Sequence, residues 1–174
     1  MQRSLVMTVI GEDRPGLVDS LSGAVTEFGG NWLESRMSRL AGQFAGIVHI
    51  TVPSEREHGL TLALKNLDAQ GLKVVVHAGR VESTDPARAL SSLEIVGQDR
   101  PGIVRQISHA LAAFGVNVEE LHTECASAAM SGETLFKAHA KLHIPESCDV
   151  SELRKELEKI AADLIVEITL QMKG

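Results

Sequence analysis

The sequence predicts an α+β fold in which one β-α-β-β-α-β unit is made twice along the chain. Three observations carry that reading. Residues 11–18, Gly-Glu-Asp-Arg-Pro-Gly-Leu-Val, return 86 residues later as Gly-Gln-Asp-Arg-Pro-Gly-Ile-Val at 97–104. Around each copy the apolar spacing changes from two to about 3.6, as a strand gives way to a helix. Glycine and proline punctuate both halves at matching places.

The elements follow in order. Residues 4–10 form a first strand, with Leu5, Met7 and Val9 on one face. After Pro15, the residues Leu17, Leu21, Ala24, Val25 and Phe28 line one side of a helix that Gly29 and Gly30 end. Asn31 and Trp32 lead into a second strand running to Leu40, and Ala41-Gly42-Gln43 turns the chain. A third strand places Phe44, Gly46, Val48, Ile50 and Val52 on one face and stops at Pro53. A second helix is expected over 54–70, striped by Leu60, Leu64 and Leu67, and Gly71 separates it from a fourth strand at 72–78.

The second half repeats this. Leu93 and Ile95 match Met7 and Val9, and Ile103, Ile107, Ala110, Leu111 and Phe114 match the first helix. Residues 136–145 match 44–53, now 92 apart, which places a six-residue insertion within 126–132, a run of small residues around Met130. Leu153, Leu157 and Ile160 renew the second helix, and Leu164, Val166, Ile168 and Leu170 are expected in the last strand. One apolar face per strand calls for an antiparallel sheet with two helices on one side. The result is two tandem ferredoxin-like βαββαβ domains at 1–81 and 90–174, joined by the polar, proline-containing residues 82–89.

Composition narrows the function. Each half carries more acids than bases, ten against eight up to Pro86 and thirteen against nine after it. Neither half offers the cationic surface that phosphate neutralisation requires, so direct nucleic-acid binding is not expected. Two cysteines, Cys125 and Cys148, lack metal-ligand spacing and suit a reducing compartment. No apolar run reaches the length of a membrane span, so a soluble cytoplasmic protein is expected. His139 and His143 share a strand face with Lys137 and Lys141, and His122 and Glu124 lie on the neighbouring strand. A face so mixed in charge reads as solvated surface, and no metal or cofactor is expected. Nothing pairs a nucleophile with a base in a recognisable motif, so the chain is not read as an enzyme.

The repeated turn is the place for chemistry. Gly11 and Gly97 are expected to end each strand in a conformation that a side chain resists. Pro15 and Pro101 suit a first helical turn, and Asp13 and Asp99 are placed to cap it. Gly16 and Gly102 leave the helix start bare, so its free amides and dipole offer a seat for a carboxylate.

The two Asp-Arg-Pro-Gly turns, with Phe28-Gly29…Asn31 and Phe114-Gly115…Asn117, resemble a tandem pair of ACT domains, regulatory modules of amino-acid metabolism. Residues 31–37, 40–46 and 130–132 also resemble the glycine cleavage system transcriptional repressor group. The resemblance implies an amino-acid sensor, glycine its first candidate, acting on a transcriptional activator. A regulatory subunit of a separate enzyme is the alternative. Carried over by position, it implies one site at Asp13, Arg14, Gly16, Leu17 and Asn31. A second lies at Asp99, Arg100, Gly102, Ile103 and Asn117. Arg14 and Arg100 are equally well explained as solvated side chains. Pairing of strand edges makes a homodimer an expectation, and the partner is expected to meet either the open sheet face or the insertion around Met130 at 126–132.

Overall fold

A computed structural model describes residues 1–79, 89–127 and 132–173. The chain divides into two compact units, Met1–Ser83 and Thr84–Gly174. Residues 80–88, which hold most of the expected linker, and 128–131, which hold Met130, lie outside the described residues.

The first unit runs β1 (Gln2–Glu12), α1 (Leu17–Glu27), β2 (Asn31–Leu40), β3 (Gln43–Pro53), α2 (Glu57–Asn66) and β4 (Leu72–Ala78). Its sheet has the order β2-β3-β1-β4, every neighbour antiparallel. The second unit repeats it with β5 (Ser91–Gln98), α3 (Ile103–Ala113), β6 (Asn117–Ser127), β7 (Thr134–His143), α4 (Val150–Leu164) and β8 (Val166–Gln171). Its order is β6-β7-β5-β8. The first strand of each unit is therefore central, flanked by the third and the fourth.

The alternation read in the sequence is the alternation of burial. Leu5, Met7 and Val9 of β1 and Val48, Ile50 and Val52 of β3 are buried against Leu17, Leu21 and Val25 of α1 and Leu60 and Leu64 of α2. Each such side chain contributes about 1.5–3 kcal/mol when fully removed from water. In the second unit Leu93, Ile95, Ala138, Ala140 and Leu142 pack in one core with Ile103, Ile107, Leu111, Leu153 and Leu157.

Two boundaries differ from expectation. The second helix starts at Glu57 and tightens into a 3₁₀ turn, Leu67–Gln70, which keeps Leu67 buried. Leu164 ends α4 instead of starting the last strand, because Ile165 turns the chain in a left-handed conformation at φ 56. Gly71, at φ 81, makes the same turn in the first unit without a side chain.

The ends of α1 and α3 close alike. Gly29 donates to the carbonyl of Thr26 and Gly30 to that of Val25, while Gly115 donates to Ala112 and Val116 to Leu111. Each pair is a Schellman closure, and the left-handed residue is a glycine at φ 70 in both.

Candidate functional site

Each β-to-α turn is built around one left-handed glycine. Gly16 (φ 91) and Gly102 (φ 96) are the residues preceding α1 and α3, and no side chain caps either helix. The first intrahelical bonds run from Ser20 to the Gly16 carbonyl and from Gln106 to the Gly102 carbonyl. The amides of Leu17, Val18 and Asp19, and of Ile103, Val104 and Arg105, precede those bonds and have no carbonyl within the helix to receive them.

Several expected roles change places. Gly11 and Gly97 lie within strands, and space is what they need. A Cβ on Gly11 would sit 2.5 Å from the Gly71 carbonyl oxygen, and one on Gly97 would sit 2.5 Å from Cγ1 of Val166. Gly16 and Gly102 supply the unusual backbone, so Pro15 and Pro101 fall just before the helices. Asp13 and Asp99 do not cap. The Asp13 carboxylate instead accepts from Nε of Arg39 at 2.6 Å, and the amides of Asp13 and Asp99 donate to the carbonyls of Gly42 and Thr134, at 2.9 Å each.

The two turns differ in what holds their side chains. In the first, Arg14 donates to the Gln70 carbonyl and Asp13 pairs with Arg39. In the second, Arg100 reaches only Gln98, at 3.3 Å, and the Asp99 carboxylate has no hydrogen bond or ion pair among the described residues. Leu17 and Ile103 are buried, so they can offer a ligand their amides but not their side chains.

The fold does not bring Asn31 or Asn117 to the turn of its own unit. Helix α1 runs back along the sheet, so β2 begins at the far end. Asn31 is opposite Thr51, whereas Arg39, eight positions further along β2, is the residue beside Asp13. At about 3.3 Å per residue the separation is about 26 Å. Asn117, equally placed, donates to Oε1 of Glu119 at 2.7 Å.

Sequence reasoning missed Arg39 and Gln70, because their contacts span 26 and 56 residues. Superposing the repeats charge by charge would have drawn attention to Arg39, since Cys125 occupies the equivalent position.

The helix-free face of the second sheet carries the expected histidines. His122 is directly opposite His139, Glu124 is opposite Lys137, and Lys141 pairs with Glu120 at 2.9 Å. Among the described residues no three His, Cys, Asp or Glu side chains are arranged to hold a metal ion. On the first sheet, Ser4 Oγ lies 2.8 Å from His49 Nε2, the contact that a serine nucleophile needs. The strands on which both sit are paired through the sheet ladder, so their amides are already engaged instead of facing the hydroxyl to hold an oxyanion.

The family model of the ACT domain matches residues 3–77 and 93–171. The chain is 23% identical over 167 residues to the glycine cleavage system transcriptional repressor of Escherichia coli (strain K12), covering 94% of this chain and 86% of that protein. An unknown protein from Galdieria sulphuraria has the same fold over the full length of both chains, with a TM-score of 0.88 and 28% identity. A solved structure of a candidate glycine cleavage system transcriptional repressor superposes with a TM-score of 0.73 at 18% identity, covering 100% of this chain and 99% of that one.

Proposed function

We propose that this chain, which belongs to the ACT domain family, is a regulatory protein that binds a free amino acid and passes that occupancy to a protein partner. Glycine is the favoured effector, and a transcriptional activator of glycine cleavage genes the favoured partner. The observation that carries the reading is the pair of bare helix starts, each beside an aspartate and an arginine. An amino acid's carboxylate finds amide donors at a helix start, and its ammonium finds a carboxylate acceptor. The likeness to the Escherichia coli repressor, over 94% of this chain and 86% of that protein, supports the partner class.

The acidic balance of both halves favours action through protein instead of direct contact with DNA. No described helix is long and apolar enough to cross a membrane, in keeping with a cytoplasmic role. The chain acts without catalysis of its own. Within the units β2, β4, β6 and β8 are edge strands whose open ladders invite pairing, so a homodimer belongs to the proposal.

Calorimetry of the full chain with glycine, serine and the other amino acids tests the sensor. Saturable binding of a small amino acid is the expected result, and no heat with any of them at millimolar concentration refutes it. Affinity capture from extract with and without glycine tests the partner. A transcription factor whose retention changes with glycine supports the proposal, and an enzyme held in its place refutes it.

A further inference from the structure

We propose that the helix-free face of the first sheet is where two copies of this chain meet, sheet against sheet. This deepens the reading above in one respect, moving the homodimer contact from a strand edge to a sheet face, and rests on that reading only for the dimer.

The repeat supplies its own control. On the helix-free side of the first sheet the central positions are Val6, Thr8 and Ile10 of β1, Ala45 and Ile47 of β3, and Val75 of β4. The equivalent positions of the second sheet hold Ser92, Glu94 and Val96, then Lys137 and His139, then Thr169. Both sheets have the same strand order and a filled core on their other side, so the fold itself does not call for the apolar set. An antiparallel sheet with one wet face alternates, as the second does, whereas a strand covered on both faces reads as a continuous apolar run. β1 reads Leu5-Val6-Met7-Thr8-Val9-Ile10, and β4 contains Val74-Val75-Val76. Yet Ile47, Ile10 and Val75 are 56%, 48% and 42% exposed.

A second copy is the occupant that this face fits. Its paired positions carry Glu12 and Glu34 against Arg36 and Lys73, no net charge, all on the edge strands or at the end of β1. The same count on the second sheet gives Glu94, Glu120, Glu124 and Glu167 against Lys137 and Lys141, so two such faces repel. A two-fold axis along the strands lays β1 of one copy over β3 of the other. Val6, Thr8 and Ile10 then come onto His49, Ile47 and Ala45, and Glu34 of β2 comes level with His77 of β4. His49 is already paired with Ser4 at 2.8 Å and Glu34 with Arg36 at 2.5 Å, so little hydrogen bonding is lost on covering them. Four strands of 7 to 11 residues, at about 4.8 Å by 3.3 Å for each residue, make a plane of about 600 Å². Two copies therefore bury about 1,200 Å², where stable interfaces begin.

Sedimentation equilibrium of the full chain, from micromolar to submillimolar concentration, tests this. The wild type is a dimer. The variant Thr8→Glu, Ala45→Lys, Ile47→His carries residues that the second sheet already accommodates, and its far-UV circular dichroism is unchanged. Its dissociation constant rises at least about tenfold, because each copy loses about half of an isoleucine's burial. Ile47→Glu, its new carboxylate opposite Arg36, gives the same result and stands in should the triple variant fail to fold. His139→Glu, at the equivalent place on the second sheet, leaves the constant as in wild type. A loss there equal to that of Ile47→Glu overturns the choice of face. A dimer that survives both first-sheet variants unchanged overturns the inference and returns the contact to a strand edge, whose backbone they leave intact. A wild type that stays monomeric throughout overturns the inference and the homodimer together, leaving the face to a different protein and the sensor standing.

Discussion

Gly11, near the end of β1, and Gly16, in the turn that follows, stand five residues apart, and alanine at each should fail for a different reason. At Gly16 a Cβ meets nothing within 4 Å, so the whole cost is the left-handed backbone at φ 91. That conformation costs an L-residue roughly 1–2 kcal/mol. At Gly11 the Cβ falls 2.5 Å from the Gly71 carbonyl oxygen, which belongs to the backbone and can move only with β4. Overpacking of this kind costs roughly 1–3 kcal/mol, and a backbone neighbour puts it at the upper end. Urea unfolding, with its midpoint and slope, measures both. For a domain of this size each kcal/mol lowers the melting temperature by about 4–8 °C. D-Alanine at position 16, installed by semisynthesis, should remove the cost, because its allowed region is the mirror image of that of L-alanine. A Gly16→Ala variant as stable as wild type, or a Gly11→Ala variant less affected than Gly16→Ala, would refute this division of roles.

Two further outcomes can be checked. Asp149 caps α4, its carboxylate accepting from the Glu152 amide at 3.1 Å, so Asp149→Ala should cost about 0.5–2 kcal/mol in urea unfolding. Asp99→Ala, having no cap to lose, should leave stability nearly unchanged. The two cysteines should also separate in reactivity. Burial, seconded by the charge of Asp149, pushes the Cys148 thiol above its ordinary range, whereas Cys125 is exposed. Iodoacetamide at pH 8, followed by peptide mass spectrometry, should label Cys125 first, because the thiolate is the reacting form. The raised Cys148 value adds stability that is fully present below the ordinary thiol pKa and is lost as pH rises through the folded one. Earlier labelling of Cys148 would contradict its placement.

The layered architecture was legible because each element's signal is local. Leu5, Met7 and Val9 alternate within one strand, and Leu17, Leu21 and Val25 recur within one helix, so neighbours in sequence suffice to read them. The repeat then supplied each element twice. The turn was only half legible. Its glycines were identified, but whether a glycine serves a dihedral angle or a close approach depends on Gly71 and Val166, strands away. The asparagines were misplaced for a geometric reason: Asn31 lies 15 positions after Gly16, yet the helix between them carries the chain to the other end of the sheet. Arg39 was invisible as a partner of Asp13, since nothing local distinguishes it from Arg36.

The strand synthesised first in each unit is the one that ends up in the middle. Val9 of β1 pairs with Gly46 of β3 and Val74 of β4. On a ribosome adding roughly 5–20 residues per second, β1 therefore waits about 3–13 seconds for its last neighbour to be made. By then the first residues after β4 are following it, and β5, whose apolar face repeats that of β1, is the next strand to emerge. Until β3 is made the nascent chain holds an apolar strand with both ladders open, and until β4 is made one stays open, so a chaperone that shields extended apolar segments would find its target in Leu5, Met7 and Val9 before the helix-covered sheet is complete.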